Sequence, residues 1–370
     1  MLKRKFGKTG LESTLLGFGG FHLLEIDQKE AAKLLNQYLD AGGNYIETAA
    51  SYGAGESERK IGQSIAHRRD EYMLVSKVGA RDKEGFLKLF NESLENLQTD
   101  HLDVVLMHGV GTMEELDEIL SENGAIEGFK QAQAEGKVKF VGISMHGQPD
   151  VLIEALKRYP FDAVMSTINY YDRFNFPKIE DVLLPLAASK DCAVILMKPI
   201  ADGLLWRSAP QAFRYAFSQD VSVVVAGMNT QEMLEADLQY VKAFKPMTEE
   251  EKEDLYASAT ELGQYVCRQC NKCLPCPVNI DIPLVCKLEG YYDRQMRDGI
   301  VRDPSDFALR DRLRFWFSND KRARAEYAAL DVKADRCTEC GLCNERCPYQ
   351  IDVMKKMRIA DYKLAAKDIY

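Results

Sequence analysis

Eight of the ten cysteines lie in two short runs in the last third of the chain, and the final cysteine of each run precedes a proline. The runs are Cys267, Cys270, Cys273 and Cys276, and Cys337, Cys340, Cys343 and Cys347. Three cysteines separated by two residues place three thiolates around one corner of a 4Fe–4S cluster, and the cysteine before proline ligates the other cluster in two-cluster modules. The spacing therefore predicts two 4Fe–4S clusters.

Each predicted cluster takes three cysteines of one run and the last cysteine of the other. One set is Cys267, Cys270, Cys273 and Cys347, and the other is Cys337, Cys340, Cys343 and Cys276. Zinc is the alternative, because C-x-x-C pairs also bind zinc, but the third close cysteine and the cysteine–proline endings favour iron and sulfide. We expect Cys192 to be a core thiol and Cys286 to pack near the clusters.

Four titratable residues lie at or just beyond the ends of apolar runs in the first third of the chain. Glu47, Lys77 and His108 end or follow the second, third and fourth of these runs, and Tyr52 lies five residues after Glu47. A tyrosine beside a lysine can act as a general acid, because the ammonium lowers the pKa of the phenol. The carboxylate can hold the lysine, and the histidine can orient a carbonyl oxygen.

The elements that must position these residues are eight apolar runs that alternate with helix-compatible segments. The predicted strands are residues 14–18, 44–48, 72–76, 103–107, 139–143, 163–166, 193–197 and 222–225. Apolar strands separated by helices are typical of a parallel sheet covered on both faces. Eight units in roughly 250 residues predict an α/β fold, a (β/α)8 TIM barrel over residues 1–246. Residues 3–11 are predicted to form a hairpin at its bottom.

A second domain is predicted over residues 247–370, mainly helical and ferredoxin-like around the two cysteine runs. The charged run 249–254 indicates the solvated first turns of a helix. Residues 287–335, which include Tyr291 and the aromatic run 315–317, are predicted to form helices that pack on the barrel or shield the clusters.

Composition limits the partners. The 370 residues carry a net charge of −9 and are 46% apolar, which argues against nucleic acid or an anionic membrane as the main partner. No apolar run approaches membrane-spanning length, and the charged start is not followed by the apolar stretch of a signal peptide. We expect a cytoplasmic protein.

The barrel segment resembles the aldo-keto reductase family. Residues 46–53 (Ile-Glu-Thr-Ala-Ala-Ser-Tyr-Gly) are similar to its Asp-Thr-Ala-x-x-Tyr-Gly segment, and Lys77 and His108 follow at family positions. The C-terminal part resembles the ferredoxin-type branch of that family. The resemblance implies hydride transfer between NAD(P)H and a carbonyl, with Tyr52 as proton donor, Lys77 tuning it and His108 positioning the substrate. Glu47 replaces the family's aspartate, and its longer side chain still allows a pair with Lys77.

The resemblance also implies a dinucleotide site. Its predicted contacts are Gly20, Phe21, Ser144, Asn169, Lys198, Gly227, Asn229 and Asp237. Residues 227–237, after the eighth strand, contain no lysine or arginine for the 2′-phosphate of NADP, and Glu235 and Asp237 would repel it. We therefore expect NAD(H) to bind at least as readily as NADP(H), with a flavin as the alternative cofactor.

Three functions fit this combination. In the first, an oxidoreductase acts on a small carbonyl or hydroxyl substrate and its clusters relay electrons to a redox partner protein. In the second, the chain is an electron-transfer protein whose barrel is a docking or cofactor-holding platform. In the third, the reductase is retained and the clusters are structural. Nicotinamide gives two electrons as hydride whereas each cluster takes one, so direct exchange requires a flavin or a substrate radical.

Overall fold

The computed structural model describes residues 1–147, 149–293 and 320–365. They form two compact units. The first comprises Met1–Asn169 and Lys178–Met247, and the second comprises Tyr170–Pro177 with the described residues from Thr248 onward. The single boundary predicted at residue 246 therefore misses one feature, because the eight residues 170–177 are part of the second unit.

The first unit is a closed barrel of eight parallel strands behind a short hairpin. The hairpin strands are β1 (Lys3–Lys5) and β2 (Glu12–Thr14). The barrel strands are β3 (Leu16–Gly19), β4 (Tyr45–Glu47), β5 (Met73–Val78), β6 (Leu102–Met107), β7 (Val138–Ser144), β8 (Ala163–Thr167), β9 (Ala193–Met197) and β10 (Val223–Gly227). Neighbouring strands follow chain order, and β10 pairs with β3 to close the ring. The predicted fold class and its eight strands are confirmed.

Helices cover the outside of the barrel. They are α1 (Gln28–Asp40), α2 (Glu56–Ile65), α3 (Lys83–Leu97), α4 (Met113–Ile119), α5 (Ala125–Ala134), α6 (Pro149–Arg158), α7 (Leu184–Ser189), α8 (Ala209–Phe217) and α9 (Gln231–Lys242). In α1, Asp27 accepts a hydrogen bond from the backbone N–H of Glu30 and caps the first turn. The buried residues of α1 recur three and four positions apart, as expected for a helix with one apolar face.

The hairpin closes the N-terminal end of the barrel. Phe6, between its strands, is fully buried among inward-facing barrel residues, and its ring lies 6.0 Å from that of Tyr45. The Lys8 backbone N–H donates to the Asp191 carbonyl, just before β9, at 2.6 Å. The hairpin extends to Thr14, three residues beyond the predicted end, so the first barrel strand begins at Leu16 instead of residue 14.

The second unit is mainly helical. Its helices are α10 (Glu249–Ser258), α11 (Ile282–Asp293), α12 (Asp320–Ala328), α13 (Leu342–Arg346) and α14 (Val353–Leu364). The charged run after Thr248 is the start of α10, where Thr248 and Glu251 form a reciprocal capping box. The aromatic run 315–317, which we predicted to be part of a helical region, lies outside the described residues. No helix in the described part of the chain is long and apolar enough to cross a membrane.

Aromatic contacts hold the 170–177 segment within the second unit. The ring of Phe174 meets that of Tyr256 edge to face at 5.1 Å, and Phe176 stacks on Tyr291 at 5.0 Å. A side chain on Gly290 would collide with Asn175, so the glycine allows the segment to approach α11 closely. Burial of such rings is a large apolar contribution to packing.

Candidate active site and cysteine sites

Lys77 is the centre of the candidate active site. It lies near the end of β5, only 1% exposed, and its ammonium donates to the Tyr52 hydroxyl and to the Thr48 carbonyl, both at 2.9 Å. Its Nζ also contacts Oε1 of Glu47, at the end of the neighbouring strand β4. The longer glutamate side chain therefore still pairs with the lysine. A buried ammonium requires such partners, because an unpaired charge away from water is costly.

The Tyr52 ring is held on three sides by other side chains. Phe21 meets it edge to face at 5.0 Å, His108 does so at 5.9 Å, and the Lys77 ammonium lies 4.5 Å from the ring centroid. Burial raises the pKa of Tyr52 above its ordinary value. The lowering of the Tyr52 pKa that we expected from Lys77 is therefore wrong in direction, because desolvation of the buried phenol raises this pKa. A raised pKa keeps the phenol protonated.

Burial also shifts the pKa values of Lys77 and His108. It lowers the pKa of Lys77 well below its ordinary value, which the Glu47 carboxylate opposes. The pKa of His108 falls to about 3, first because of burial and then because of the charges of Lys77 and Arg81. His108 is therefore neutral at physiological pH, and Ser51 Oγ lies 3.3 Å from its Nδ1. A neutral imidazole in this position can donate to an oxygen from Nε2.

Arg81 is a positioning residue that the sequence pattern did not indicate. Its guanidinium donates to the carbonyls of His108 and Gly109, at 2.8 and 3.1 Å, and lies 3.2 Å from Glu115. These bonds fix the backbone just beyond β6, where His108 begins the loop. An arginine four residues after Lys77 reads as an ordinary loop residue, so only the contacts reveal this role.

Three of the predicted cofactor residues, at or just beyond the ends of β7, β8 and β9, are already hydrogen-bonded. Ser144 donates to the Met107 carbonyl and accepts from the Gly109 N–H, and the Asn169 amide donates to the Lys198 carbonyl at 3.1 Å. The Lys198 ammonium is held by both carboxylate oxygens of Asp202, at 2.8 and 3.0 Å. The positive charge of Lys198 is therefore already paired with a carboxylate. The sequence pattern does not indicate Asp202 as this partner.

The remaining predicted cofactor residues lie where β3 and β10 end side by side. Gly20 has no room for a side chain, because a Cβ would lie 2.8 Å from Ser57 Oγ. Gly227 is similarly constrained, because a Cβ there would collide with the ring of His22. The amide of Asn229 donates to Glu25 at 2.5 Å. Like Arg81 and Asp202, Glu25 is a residue of this region that the sequence pattern does not indicate.

Asp237 differs from its predicted role. It is buried in α9, 7% exposed, and burial raises its pKa to about 8. Most of these carboxyl groups keep their proton at neutral pH, so Asp237 does not supply the repulsive charge that we expected against a 2′-phosphate.

The cysteines line two cavities in the second unit. The first is lined by Cys267, Cys270, Cys273, Cys286 and Cys347, and the second by Cys273, Cys276, Cys337, Cys340 and Cys343. Each cavity thus brings together three cysteines of one run and the last cysteine of the other, in the crossed arrangement that the spacing predicts. Cys286 hydrogen-bonds Cys267. Cys192 is buried far from either run in sequence, and burial raises its pKa to about 12, as for a core thiol.

Two parts of the sequence match known families. Residues 15–212 match the aldo/keto reductase family, and residues 266–352 match the 4Fe-4S dicluster domain. The first match contains Glu47, Tyr52, Lys77 and His108, here called the tetrad, and the second contains all eight clustered cysteines.

Individual relatives resemble the barrel. The chain is 30% identical over 218 residues to an uncharacterized oxidoreductase of Bacillus subtilis, across 55% of this chain and 67% of that protein. It is 32% identical over 225 residues to the L-galactose dehydrogenase of Arabidopsis thaliana, across 56% of this chain and 68% of that protein. The holo form of an aldo-keto reductase from Bacillus halodurans has a similar structure, with a TM-score of 0.60 and 28% identity, covering 68% of this chain and 94% of that one.

Proposed function

Because the chain belongs to the aldo/keto reductase family and carries a C-terminal 4Fe-4S dicluster domain, we propose that it is an iron–sulfur oxidoreductase. Its barrel would reduce a small carbonyl compound, or oxidise the corresponding alcohol, with a nicotinamide dinucleotide. The observation that carries this proposal is the continuous contact from Glu47 through Lys77 to the Tyr52 hydroxyl, 2.9 Å from the Lys77 ammonium.

Buried polar atoms at the barrel mouth fit a bound dinucleotide. Ser166 Oγ and Thr167 Oγ1, at the end of β8, and Asn229 Oδ1 are buried without a hydrogen-bond partner within the described residues. Native proteins rarely leave such atoms unsatisfied, so a ligand's polar groups are suited to complete them. Asn169, Gly227 and Asn229 would hold the cofactor. A bound nicotinamide supplies or accepts the hydride of the reaction.

The tetrad manages the proton. Tyr52 donates its phenolic proton to the carbonyl oxygen in reduction and takes it back in oxidation. Lys77 donates to the phenolic oxygen, so it leaves the Tyr52 O–H available and stabilises the tyrosinate that remains. Glu47 offsets the cost of burying the ammonium, and neutral His108 holds the substrate oxygen through Nε2–H.

The two cysteine-lined cavities fit 4Fe–4S clusters by the chemistry of their donors. Each presents four thiolate ligands in the crossed pattern of two-cluster modules. We propose Cys267, Cys270, Cys273 and Cys347 as one ligand set, and Cys337, Cys340, Cys343 and Cys276 as the other. The clusters would pass single electrons between the enzyme and a redox partner.

We expect NADH to bleach the visible absorption of the clusters in anaerobic protein when a flavin or a radical-forming substrate is also present, with full reduction by dithionite as the reference. Electrons that enter at the barrel would then reach the clusters. Carbonyl turnover without bleaching would make the clusters structural, and bleaching without turnover of any carbonyl would indicate an electron-transfer protein.

Tyr52→Phe is expected to lower carbonyl reduction by about 10²–10⁴-fold, the usual worth of general acid catalysis, because the proton donor is lost while the ring remains. Tyr45→Phe is the matched control. Its hydroxyl is buried without a hydrogen-bond partner within the described residues, so turnover should stay near that of the unmodified protein. Initial rates at saturating cofactor measure both, and full activity of Tyr52→Phe would remove Tyr52 from the chemistry.

Carbonyl reduction should vary little between about pH 5 and pH 7, and a loss of activity above this range would report deprotonation of Lys77, whose pKa burial lowers. The reaction needs protonated Tyr52, whose pKa burial raises, and neutral His108, whose pKa burial lowers to about 3. Rising pH therefore leaves the phenol protonated past its ordinary range, and falling pH leaves the imidazole neutral. The measurement is kcat/KM at constant ionic strength. An acid limb near the ordinary histidine value of about 6.5 would contradict the assignment of His108.

Anaerobically prepared protein should contain about eight irons per chain, with matching acid-labile sulfide. Cys347→Ala should lower the count to about seven or fewer, because one iron of the first cluster loses its thiolate. Cys192→Ala is the control and should keep the full count. Zinc in place of iron, or an unchanged count in Cys347→Ala, would refute the ligand sets.

A further inference from the structure

We propose that Glu25 determines which dinucleotide the barrel accepts. Its carboxylate would accept hydrogen bonds from a ribose diol, as in NAD(H), and would repel the 2′-phosphate of NADP(H). The inference rests on the proposed function, since it concerns the same cofactor site.

Glu25 is held at the junction of the first and last barrel strands. It ends the short helical segment Gly20–Glu25 that follows β3, while Asn229 lies two residues beyond β10. The Asn229 amide donates to Glu25 Oε2 at 2.5 Å, and Nδ1 of His22 lies 3.0 Å from the same oxygen. Two neighbours on one oxygen fix the carboxylate in place, although Glu25 and Asn229 are 204 positions apart in sequence.

Gly227 makes this arrangement possible. The ring of His22 lies so close to Gly227 that a Cβ there would overlap it. The glycine therefore allows His22 to pack on the backbone of β10, from where it reaches Glu25. The backbone of Gly227 is not in the left-handed region, so an alanine at this position carries no backbone strain and its Cβ meets the His22 ring first.

The position of Glu25 and Asn229 beside the end of β10 suits the ribose of a dinucleotide, and so does the hydrogen-bonding capacity of Asn229 Oδ1. In TIM barrels, phosphate groups commonly bind the loops after the seventh and eighth strands, which here follow β9 and β10. Asn229 Oδ1 is buried and has no hydrogen-bond partner among residues 1–147, 149–293 and 320–365. The Glu25 and His22 side chains are 21% and 25% exposed, so a ligand can reach them.

The charges at this junction disfavour a phosphate monoester. A 2′-phosphate carries close to two negative charges and is bound best by a fixed cation. Glu25 presents a carboxylate, and Glu232 adds another in the first turn of α9, where Lys33 acts on it. The nearby Lys60 ammonium is already engaged by the carbonyls of Leu23 and Ile26. The ammonium of Lys198, on the neighbouring strand end, is engaged by Asp202. In dinucleotide-binding folds, a carboxylate that accepts from the ribose hydroxyl is the feature that selects NAD.

Titration of the full-length, cluster-loaded protein with NADH and with NADPH, at one ionic strength, tests the proposal. The readout is quenching of intrinsic fluorescence, which requires no substrate. The unmodified protein should bind NADH about tenfold tighter or more, or about 1.4 kcal/mol. In Glu25→Gln the shape is kept and the charge removed, so the ratio of the two dissociation constants should shift about tenfold or more toward NADPH. Gly227→Ala, which displaces His22, should shift the ratio in the same direction but less.

Glu127→Gln is the matched control, a glutamate in the first turn of α5 that pairs with Lys130, and its ratio should not change. If both cofactors bind and Glu25→Gln leaves the ratio unchanged, Glu25 is not the determinant and the proposed function stands. If the unmodified protein prefers NADPH, the inference is overturned in the same way. If it binds neither cofactor, the proposed function itself fails and the inference with it.

Discussion

The barrel mouth is organised by the need to bury an ammonium. Lys77 lies in the wall of a closed barrel, where water cannot solvate its charge, so neighbouring strands must provide what water would. Glu47 provides the opposite charge, and the Thr48 carbonyl and the Tyr52 hydroxyl provide acceptors. The same desolvation raises the pKa of Tyr52 and lowers that of His108. The buried lysine thus accounts for its contacts with Glu47 and Tyr52, and burial of the whole site shifts the pKa values of Tyr52 and His108.

The barrel and its tetrad are predictable from the sequence because both depend on local patterns. Eight apolar runs mark the strands, and the ends of parallel strands gather at one face, so the pattern alone places Glu47, Lys77 and His108 together. The first strand begins two residues later than the pattern indicates, because Thr14 belongs to the hairpin and pairs with Lys3. The direction of the Tyr52 pKa shift is not predictable in this way, since desolvation depends on depth in the barrel, which residue types do not report.

Residues that act through long-range contacts are hidden from such patterns. Glu25 meets Asn229 only because the barrel closes and brings its first and last strands together. Residues 170–177 read as an ordinary barrel loop, yet Phe174 and Phe176 pack on rings of α10 and α11 in the second unit. The cysteine grouping is predictable for the opposite reason. In the spacing rule for two-cluster modules, the last cysteine of each run binds the other cluster. The grouping of the cysteines in the two cavities can therefore be predicted without knowledge of the fold.

The two redox cofactors that we propose for this chain differ in the number of electrons that they transfer in one step. A nicotinamide moves two electrons together as hydride, whereas a 4Fe–4S cluster takes one. Two clusters together therefore accept as many electrons as one hydride carries, whereas a single cluster would accept only one of the two. The electrons must still separate in time, and this requires a ligand that is stable after losing only one of them. A substrate whose radical is stabilised, or a flavin in the barrel, has that property. In the proposed enzyme, the molecule that the barrel binds would therefore divide the two electrons of the hydride into single-electron transfers.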